Sequence, residues 1–238
     1  WHGERGALLR NGAGFCLLFA LALMTGFYMA WYFAFLSLAL LIAWIVVAGR
    51  ARRALLLLAL KRHWKDVLGL GVFAALVCLP FALVYAPKAA ETGMHGYAMV
   101  GQYTLSPLDV IHVGERNLVW GWLVQGLNAV FRPGFPAWSE QMTGMPPLLV
   151  ALFLLALWRG PAADRLAVLR ALGIATLVTW LLTLQIFGVS PWRLVWQVVP
   201  GARAARVVAR YQLFLLLPVA GFAVAWLAMQ GPRLGRLL

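Results

Sequence analysis

Acidic residues are scarce in this chain: 7 Asp and Glu stand against 20 Lys and Arg among 238 residues, a formal net charge of +13. Charged residues of both signs make up only 11% of the sequence, against about 25% in a typical soluble domain, whereas 63% of the residues are hydrophobic. So little charge cannot cover the surface of a water-soluble protein of this length. The composition excludes an ordinary soluble domain and favours a chain that lies largely in a membrane.

Motifs of common enzymes and metal sites are also missing. The sequence has no Gly-rich phosphate loop, no Gly-x-Ser-x-Gly, no His-Glu-x-x-His and no run of cysteine ligands. Its two cysteines, Cys16 and Cys78, lie inside separate apolar runs and are expected to pack as small apolar side chains. We therefore expect no metal and no cofactor. The aromatic and basic stripes of a nucleic-acid module are absent, so no nucleic-acid partner is expected either.

Long apolar runs dominate what is present, and each is near the length of a bilayer crossing, roughly 20 residues. Lipid requires every backbone polar group to be satisfied within the spanning structure, and the runs do not alternate as barrel strands do, so they predict helices. The predicted fold class is an all-α polytopic transmembrane helix bundle, forming one domain over residues 1–238. About six spans are expected, at residues 7–25, 27–48, 67–85, 146–158, 170–188 and 211–229.

The connections between spans differ in character. Thr25-Gly26 is the only break between the first two runs, and one helix of about 40 residues would far exceed one crossing, so a tight hairpin is predicted. Residues 49–66 place six basic residues around the short apolar core Ala54–Leu60, which predicts a cytoplasmic interfacial helix. Residues 86–145, called the long loop below, hold few charges and many Gly, Pro and aromatic residues.

The distribution of Lys and Arg orients the bundle, because basic residues gather on the cytoplasmic side. Six of them fall within the 17 residues from Arg50 to Asp66, and three fall within the 60 residues of the long loop. We expect a multi-pass protein of the bacterial inner membrane, with both ends of the chain in the cytoplasm and the long loop outside. Because the chain opens on Trp1 in mid-pattern, we expect it to be the C-terminal part of a longer protein.

Residues 189–210, called the arginine segment below, break this charge rule. The segment carries four arginines and no acid, yet the topology places it outside. Arg203, Arg206 and Arg210 are spaced three and four apart and would share one face if the stretch were helical. Guanidinium groups fit phosphate oxygens, so these three residues are predicted to bind a lipid phosphate. The alternative is that they reach ordinary anionic headgroups of membrane lipids.

Asp109, His112 and Glu140 are the candidates for contacts with a sugar or an acceptor. Carboxylates beside the Tyr and Trp residues of the long loop suit a sugar pocket, because sugar rings stack on aromatic faces and sugar hydroxyls need acceptors. The alternative is an interfacial aromatic belt with solvated loop charges. Asp109 and His112 are three apart and could meet on a helical turn, but one His and one Asp are too few for a metal site.

Several of these pieces together resemble a known family. They are Gly26-Phe27-Tyr28, the run from Tyr103 to Asp109, Glu140 before a span, and the run from Pro200 to Tyr211 that enters another span. The pattern is similar to the C-terminal half of bacterial GT-C-type membrane glycosyltransferases and their uncharacterised relatives. The resemblance implies a bundle of many helices with outer loops, which moves a sugar from a polyprenyl-phosphate carrier to an acceptor at the outer face.

The resemblance supplies no catalytic residue. The catalytic acid of those enzymes usually lies in the first outer loop, often as adjacent acidic residues, and this chain has no adjacent acidic pair. Three functions therefore stay open. The first is the C-terminal transmembrane part of a glycosyltransferase, with membrane lipids and a polyprenyl-phosphate-linked sugar as partners; the others are a transporter or lipid flippase component, and a non-catalytic membrane scaffold. No acid lies at the centre of a predicted span, which argues against an ion-coupled carrier.

Overall fold

Helices occupy nearly every long apolar run of the sequence. The computed structural model describes residues 2–133, 142–160 and 167–234, with side chains described except at 2–4, 92 and 231–234. Within these ranges the predicted all-α architecture is confirmed, and β pairing is limited to isolated bridges. The α-helices are α1 (His2–Thr25), α2 (Phe27–Val47), α3 (Arg50–Arg62), α4 (Trp64–Thr92), α5 (Tyr97–Gly101), α6 (Gly121–Phe131), α7 (Pro147–Trp158), α8 (Ala167–Thr183), α9 (Trp192–Val198) and α10 (Arg210–Leu234).

Four of the described helices, α1, α2, α4 and α10, are long and apolar enough to cross a membrane. The other two predicted spans correspond to shorter apolar helices, because α7 has 12 residues and α8 has 17. At 1.5 Å per residue these two measure about 18 and 25 Å, less than the roughly 30 Å hydrocarbon core of a bilayer. The described residues thus hold four helices long and apolar enough to span a membrane and two shorter apolar ones, as a multi-pass membrane protein has.

Several predicted boundaries differ from the structure: α1 begins at His2 rather than at 7, α10 ends at Leu234 rather than at 229, and two further differences concern the long loop. α4 continues to Thr92, so the first seven residues of the long loop, 86–92, are helical; Lys88 and Glu91 pair at 3.2 Å on its last turns, and Gly93 ends the helix with a φ of 72°. α8 ends at Thr183 rather than at 188, because the backbone there turns to pair with the long loop, where Leu105 N donates to Thr183 O at 3.0 Å.

α3 is the helix that the basic cluster at 49–66 predicts at the membrane surface. None of its residues is buried, and its leucines Leu55, Leu57 and Leu58 are about three-fifths exposed. Lys61 and Arg62 lie in its last turn, where cations interact favourably with the carbonyl end of a helix. An apolar strip with basic ends and no protein cover is typical of a helix that lies in the membrane interface.

The helices form two compact units. The first consists of Trp1–Phe35 and Ala48–Met94. Within it α1 and α4 run parallel, because residues later in α1 contact residues later in α4. Arg5 Nη2 donates to Asp66 Oδ1 at 2.8 Å, and Gly12 lies against Leu70 with no room for a side chain. Parallel packing of α1 and α4 requires the chain to return between them, as the predicted hairpin at Gly26 does.

The second unit consists of Leu36–Val47 and His95–Leu238. Its centre is formed by α7, α8 and α10, whose rings Phe153 and Phe222 meet edge to face with centroids 5.4 Å apart. Gly173 of α8 packs directly on Phe222, so the two helices approach closely. In lipid such close packing, rather than transfer out of water, holds helices together. The expectation of one transmembrane domain over residues 1–238 stays a prediction.

Candidate functional site

Residues 103–105 join the long loop to the helices of the second unit, and we call them the clasp. Leu105 O accepts a hydrogen bond from Gln185 N at 2.6 Å, just after α8, and Tyr103 O accepts one from Ala209 N at 2.9 Å, just before α10. Leu105, Val207 and Ala209 form a buried apolar cluster at this junction. The clasp therefore fixes the long loop against the arginine segment.

The arginine segment is not one helix. After α9 it passes through the left-handed Gly201, with a φ of 81°, into a 3₁₀ turn over Ala202–Ala204, and continues without helix until α10 begins at Arg210. The hydrogen bond from Ala209 N to the clasp holds the backbone away from a helical course. The helical face that the spacing predicted for Arg203, Arg206 and Arg210 is therefore not formed.

Aromatic rings position the arginines instead. The guanidinium of Arg203 lies 4.6 Å from the ring centroid of Trp196, and that of Arg206 lies 5.6 Å from the ring centroid of Tyr103 in the clasp. Arg193 likewise lies 5.6 Å from the ring of Tyr97. These three arginines are exposed. A cation over an aromatic face gains about 0.5–1 kcal/mol at an exposed site. Arg203 Nε also donates to Trp196 O at 3.4 Å, so the Nη groups are what this side chain offers a ligand.

No carboxylate among the described side chains pairs with Arg193, Arg203 or Arg206. The sequence reinforces this, because residues 165–238 contain no Asp and no Glu. Arg210, the third predicted phosphate ligand, is half-buried at the first position of α10. At Arg193, Arg203 and Arg206 positive charge therefore accumulates without an acidic partner among the described side chains, and that arrangement attracts an anion.

Asp109 lies in a 3₁₀ turn, Pro107–Val110, and its side chain is 1% exposed. Its Oδ1 accepts a hydrogen bond from Arg132 Nη1 at 2.8 Å, and its Oδ2 accepts one from Ser106 N at 2.7 Å. Its backbone oxygen accepts a hydrogen bond from Gln212 Nε2 of α10 at 2.9 Å. These contacts anchor the long loop on α6 and α10, so the Asp109 carboxylate has a structural task.

His112 is also buried, at 3% exposure, and its Nε2 lies 3.2 Å from Asn128 Nδ2 on α6. The same Nδ2 donates to Glu115 Oε1 at 2.7 Å. A carboxylate only accepts, so this bond fixes the orientation of the Asn128 amide and makes His112 Nε2 an acceptor. A neutral His112 then carries its proton on Nδ1, which is buried with no hydrogen-bond partner among the described residues.

A small cavity lies beside this imidazole. Its volume is about 10 Å³, enough for roughly one water molecule. The cavity is lined by Leu108, Ile111, His112, Val124, Leu127 and Asn128.

Among the acids whose side chains are described, Glu115 is the one that forms no salt bridge. Helix α6 holds the residue at two further points, since Gln125 Nε2 donates to Glu115 O at 2.9 Å and Gly121 lies directly against that oxygen. The other acids whose side chains are described, Asp66, Glu91 and Asp109, are all ion-paired. Half-buried Glu115 thus presents a positioned carboxylate with spare acceptor capacity.

Sequence reasoning did not single out Glu115. Its partner Asn128 lies 13 positions away on a helix, and no local pattern links the two. The structure does bring the candidates Asp109 and His112 to the C-terminal part of α6, where Arg132, just after the helix, contacts the first and Asn128 contacts the second. Glu140, the third candidate, lies outside the described residues.

The roles of Asp109, His112, Glu140 and the three arginines in ligand binding stay predictions. Asp109 and His112 are buried anchors of the long loop, whereas Arg203 and Arg206 are exposed cations on aromatic rings. Arg210 is half-buried, and Glu140 lies outside the described residues. Comparison with known protein families, with characterised proteins and with solved structures finds no match for this chain.

Proposed function

We propose that this chain is the C-terminal transmembrane part of a membrane glycosyltransferase, which takes its sugar from a polyprenyl-phosphate carrier at the outer face of the bacterial inner membrane. The observation that carries the proposal is the pair Arg203 and Arg206. Both guanidiniums are exposed, rest on the rings of Trp196 and Tyr103, and have no acidic partner among the described residues.

This arrangement suits a phosphate on the end of a lipid. An arginine that is already stacked on a ring loses less freedom when it binds, and its planar fork of donors matches two phosphate oxygens. Sugar transfer leaves additional negative charge on the carrier phosphate, so uncompensated cations at that point favour departure of the leaving group. The clasp residue Tyr103 belongs to the long loop, which places the Arg206 guanidinium against that loop.

The acceptor side of the proposal rests on Glu115. A sugar or acceptor hydroxyl needs a hydrogen-bond acceptor, and Glu115 is the described carboxylate of the long loop that no cation occupies. We assign it a contact to a hydroxyl of the sugar or acceptor. The resemblance to GT-C-type enzymes implies a catalytic acid in the first outer loop, often as adjacent acidic residues, and this chain has no such pair.

The test is polyprenyl-phosphate binding by the full-length protein in phosphatidylcholine nanodiscs. Loss of one charge-assisted hydrogen bond costs about 1.5–3 kcal/mol, so Arg203→Ala and Arg206→Ala should each weaken binding by roughly ten- to hundredfold, at about 1.4 kcal/mol per decade. Arg→Lys at either position should restore only part of the affinity, because Lys keeps the charge and loses the fork.

The matched control is Arg116→Ala, which removes an exposed arginine of the long loop. If Arg203→Ala and Arg206→Ala bind the carrier as this control does, the phosphate site is wrong and the arginines serve ordinary lipid headgroups. If binding is lost as expected but the protein moves the carrier between leaflets without transferring sugar, the flippase alternative replaces the transferase.

A further inference from the structure

The turn that follows α8 presents an aromatic side chain in an unusual way. Ile186 N donates to Val189 O at 2.9 Å and Val189 N donates to Ile186 O at 3.0 Å, which closes a two-residue turn with Phe187 and Gly188 at its tip. Both tip residues have positive φ, 51° and 80°, as a type I′ turn requires. Asn, Asp or Gly usually fill such positions, because a bulky side chain is strained there.

No contact with the described residues offsets this strain at the Phe187 ring. Its side chain is fully exposed, at 101% of the reference area. A strained backbone that holds a large apolar ring clear of the protein is unfavourable in water. The conformation is accounted for if the ring lies in an apolar medium outside the protein.

The neighbouring apolar side chains extend the same surface. Ile186 and Val189 flank Phe187 and are 52% and 73% exposed. On α9, Leu194 and Val198 lie four positions apart on one helical face and are 63% and 76% exposed, whereas Trp192 of the same helix is fully buried. We call Ile186, Phe187, Val189, Leu194 and Val198 the apolar rim.

The position of the rim identifies lipid as the medium. Phe187 lies four residues beyond the end of α8, and α8 is about 25 Å long, short of the roughly 30 Å hydrocarbon core. The residues that follow Thr183 therefore begin within or at the edge of the hydrocarbon. Backbone groups in hydrocarbon must be bonded internally, and the N–H groups of Leu184, Gln185, Ile186 and Val189 are. The N–H groups of Phe187 and Gly188 at the tip make no hydrogen bond within the described residues, which places the tip backbone at the edge of the hydrocarbon, where headgroups can bond it.

Charge around the rim fits the same medium. Arg193 of α9 and Arg203 beyond it are exposed, and no acid occurs in residues 165–238. Cations beside an apolar surface match the arrangement of anionic headgroups above acyl chains. Docking on a second protein would not by itself require cations beside the apolar surface.

We propose that the apolar rim inserts into the bilayer leaflet at the end of α8, with Phe187 as its anchor, so that α9 lies along the membrane surface. α8 alone is too short to cross the bilayer, and the non-helical turn that follows it completes the crossing. This inference stands apart from the proposed sugar transfer and holds for either orientation of the chain.

The experiment measures the depth of a nitroxide spin label at position 187. Cys16 and Cys78 are replaced by Ala, Phe187→Cys is labelled, and the full chain is placed in nanodiscs of phosphatidylcholine and phosphatidylglycerol. Collision with oxygen, which concentrates in acyl chains, is compared with collision with a water-soluble nickel chelate. The lipid reference is a label at Leu217 of α10, 78% exposed, and the aqueous reference is a label at the exposed residue Gln102.

A label at 187 should respond to oxygen as the Leu217 label does, with nickel accessibility several-fold below that of the Gln102 label. A label that matches Gln102 overturns the proposal, because the turn is then in water. A label shielded from both reagents also overturns it, because the rim is then covered by protein, such as a second copy of the chain.

A second variant tests Phe187 as the anchor. Phe187→Asn introduces a residue that tolerates the left-handed conformation, so the turn itself should persist. With this change a label at Leu194 should become several-fold more accessible to the nickel chelate. An unchanged Leu194 label would show that Phe187 does not hold α9 at the surface.

Discussion

Arg132 donates from Nη1 to Asp109 Oδ1 across 2.8 Å, and the two side chains are only 15% and 1% exposed. The pair connects the residue after α6 with the 3₁₀ turn that follows the clasp. Because Asp109 also binds Gln212 of α10 through its backbone oxygen, one buried carboxylate residue joins three separate parts of the second unit. A buried ion pair of this kind is costly to break on one side only, since the remaining charge stays desolvated.

Replacing Arg132 by Ala should destabilise the protein by about 3–5 kcal/mol, the usual penalty for leaving one member of a buried ion pair alone. The measurement is the free energy of unfolding in detergent micelles. Arg116→Ala, which removes an exposed arginine of the same loop, should change stability little. Equal stability of the two variants would show that Asp109 is compensated by other groups.

Two glycines of α6 should respond in opposite directions to alanine. At Gly121 a Cβ atom would collide with the backbone oxygen of Glu115, so Gly121→Ala should destabilise by about 1–3 kcal/mol. At Gly126 a Cβ atom would meet open space, so Gly126→Ala should stabilise by roughly 0.5–1 kcal/mol through helix propensity. The measurement is the thermal unfolding of both variants compared with that of the parent protein. A stabilising Gly121→Ala would contradict the close approach of α6 to Glu115.

Glu115→Gln should lower sugar transfer without weakening carrier binding. The substitution keeps the size of the side chain and removes the charge, and a hydrogen bond to a charged group contributes about 1.5–3 kcal/mol. We therefore expect kcat/KM of the full-length protein to fall by roughly ten- to hundredfold at about 1.4 kcal/mol per decade. Glu91→Gln, at the exposed end of α4, serves as the control. Full activity in Glu115→Gln would remove this residue from the acceptor site.

The orientation of the chain can be tested with two labelled cysteines. Gln102, in the long loop, and Lys61, in α3, are both exposed, so a cysteine at either place should react readily once it meets the reagent. In intact cells an impermeant thiol reagent should label position 102 and reach position 61 only after permeabilisation, because the basic cluster marks the cytoplasmic side. Labelling in the reverse order would invert the predicted topology.

Features that depend on neighbouring residues could be predicted from the sequence. The break at Gly26 and the basic flanks of α3 are local signals, and the helices formed where those signals placed them. The end of α8 could not be predicted, because the turn at Thr183 depends on Leu105, far earlier in the chain. The prediction of a helical face shared by three arginines was wrong for the same reason, because the backbone at Ala209 is hydrogen-bonded to Tyr103.

The side-chain partners of residues in the long loop could not be predicted from sequence patterns either. Asp109 and His112 were expected to meet on one helical turn, but each has its own partner on or just after α6, at Arg132 and Asn128. A spacing of three residues indicates a shared direction and not a shared neighbour. The positioned carboxylate at Glu115 depends on Asn128 in the same way and has no motif of its own.

The clasp also sets the order in which the chain reaches its final form during synthesis. Thr104 bonds Gln185 across 81 positions, and Asp109 bonds Gln212 across 103 positions. The long loop emerges first from the ribosome, yet it must wait until α8 and the start of α10 have been made and inserted. A chain whose translation stops before Gln212 would carry its membrane helices but leave that loop open to proteases.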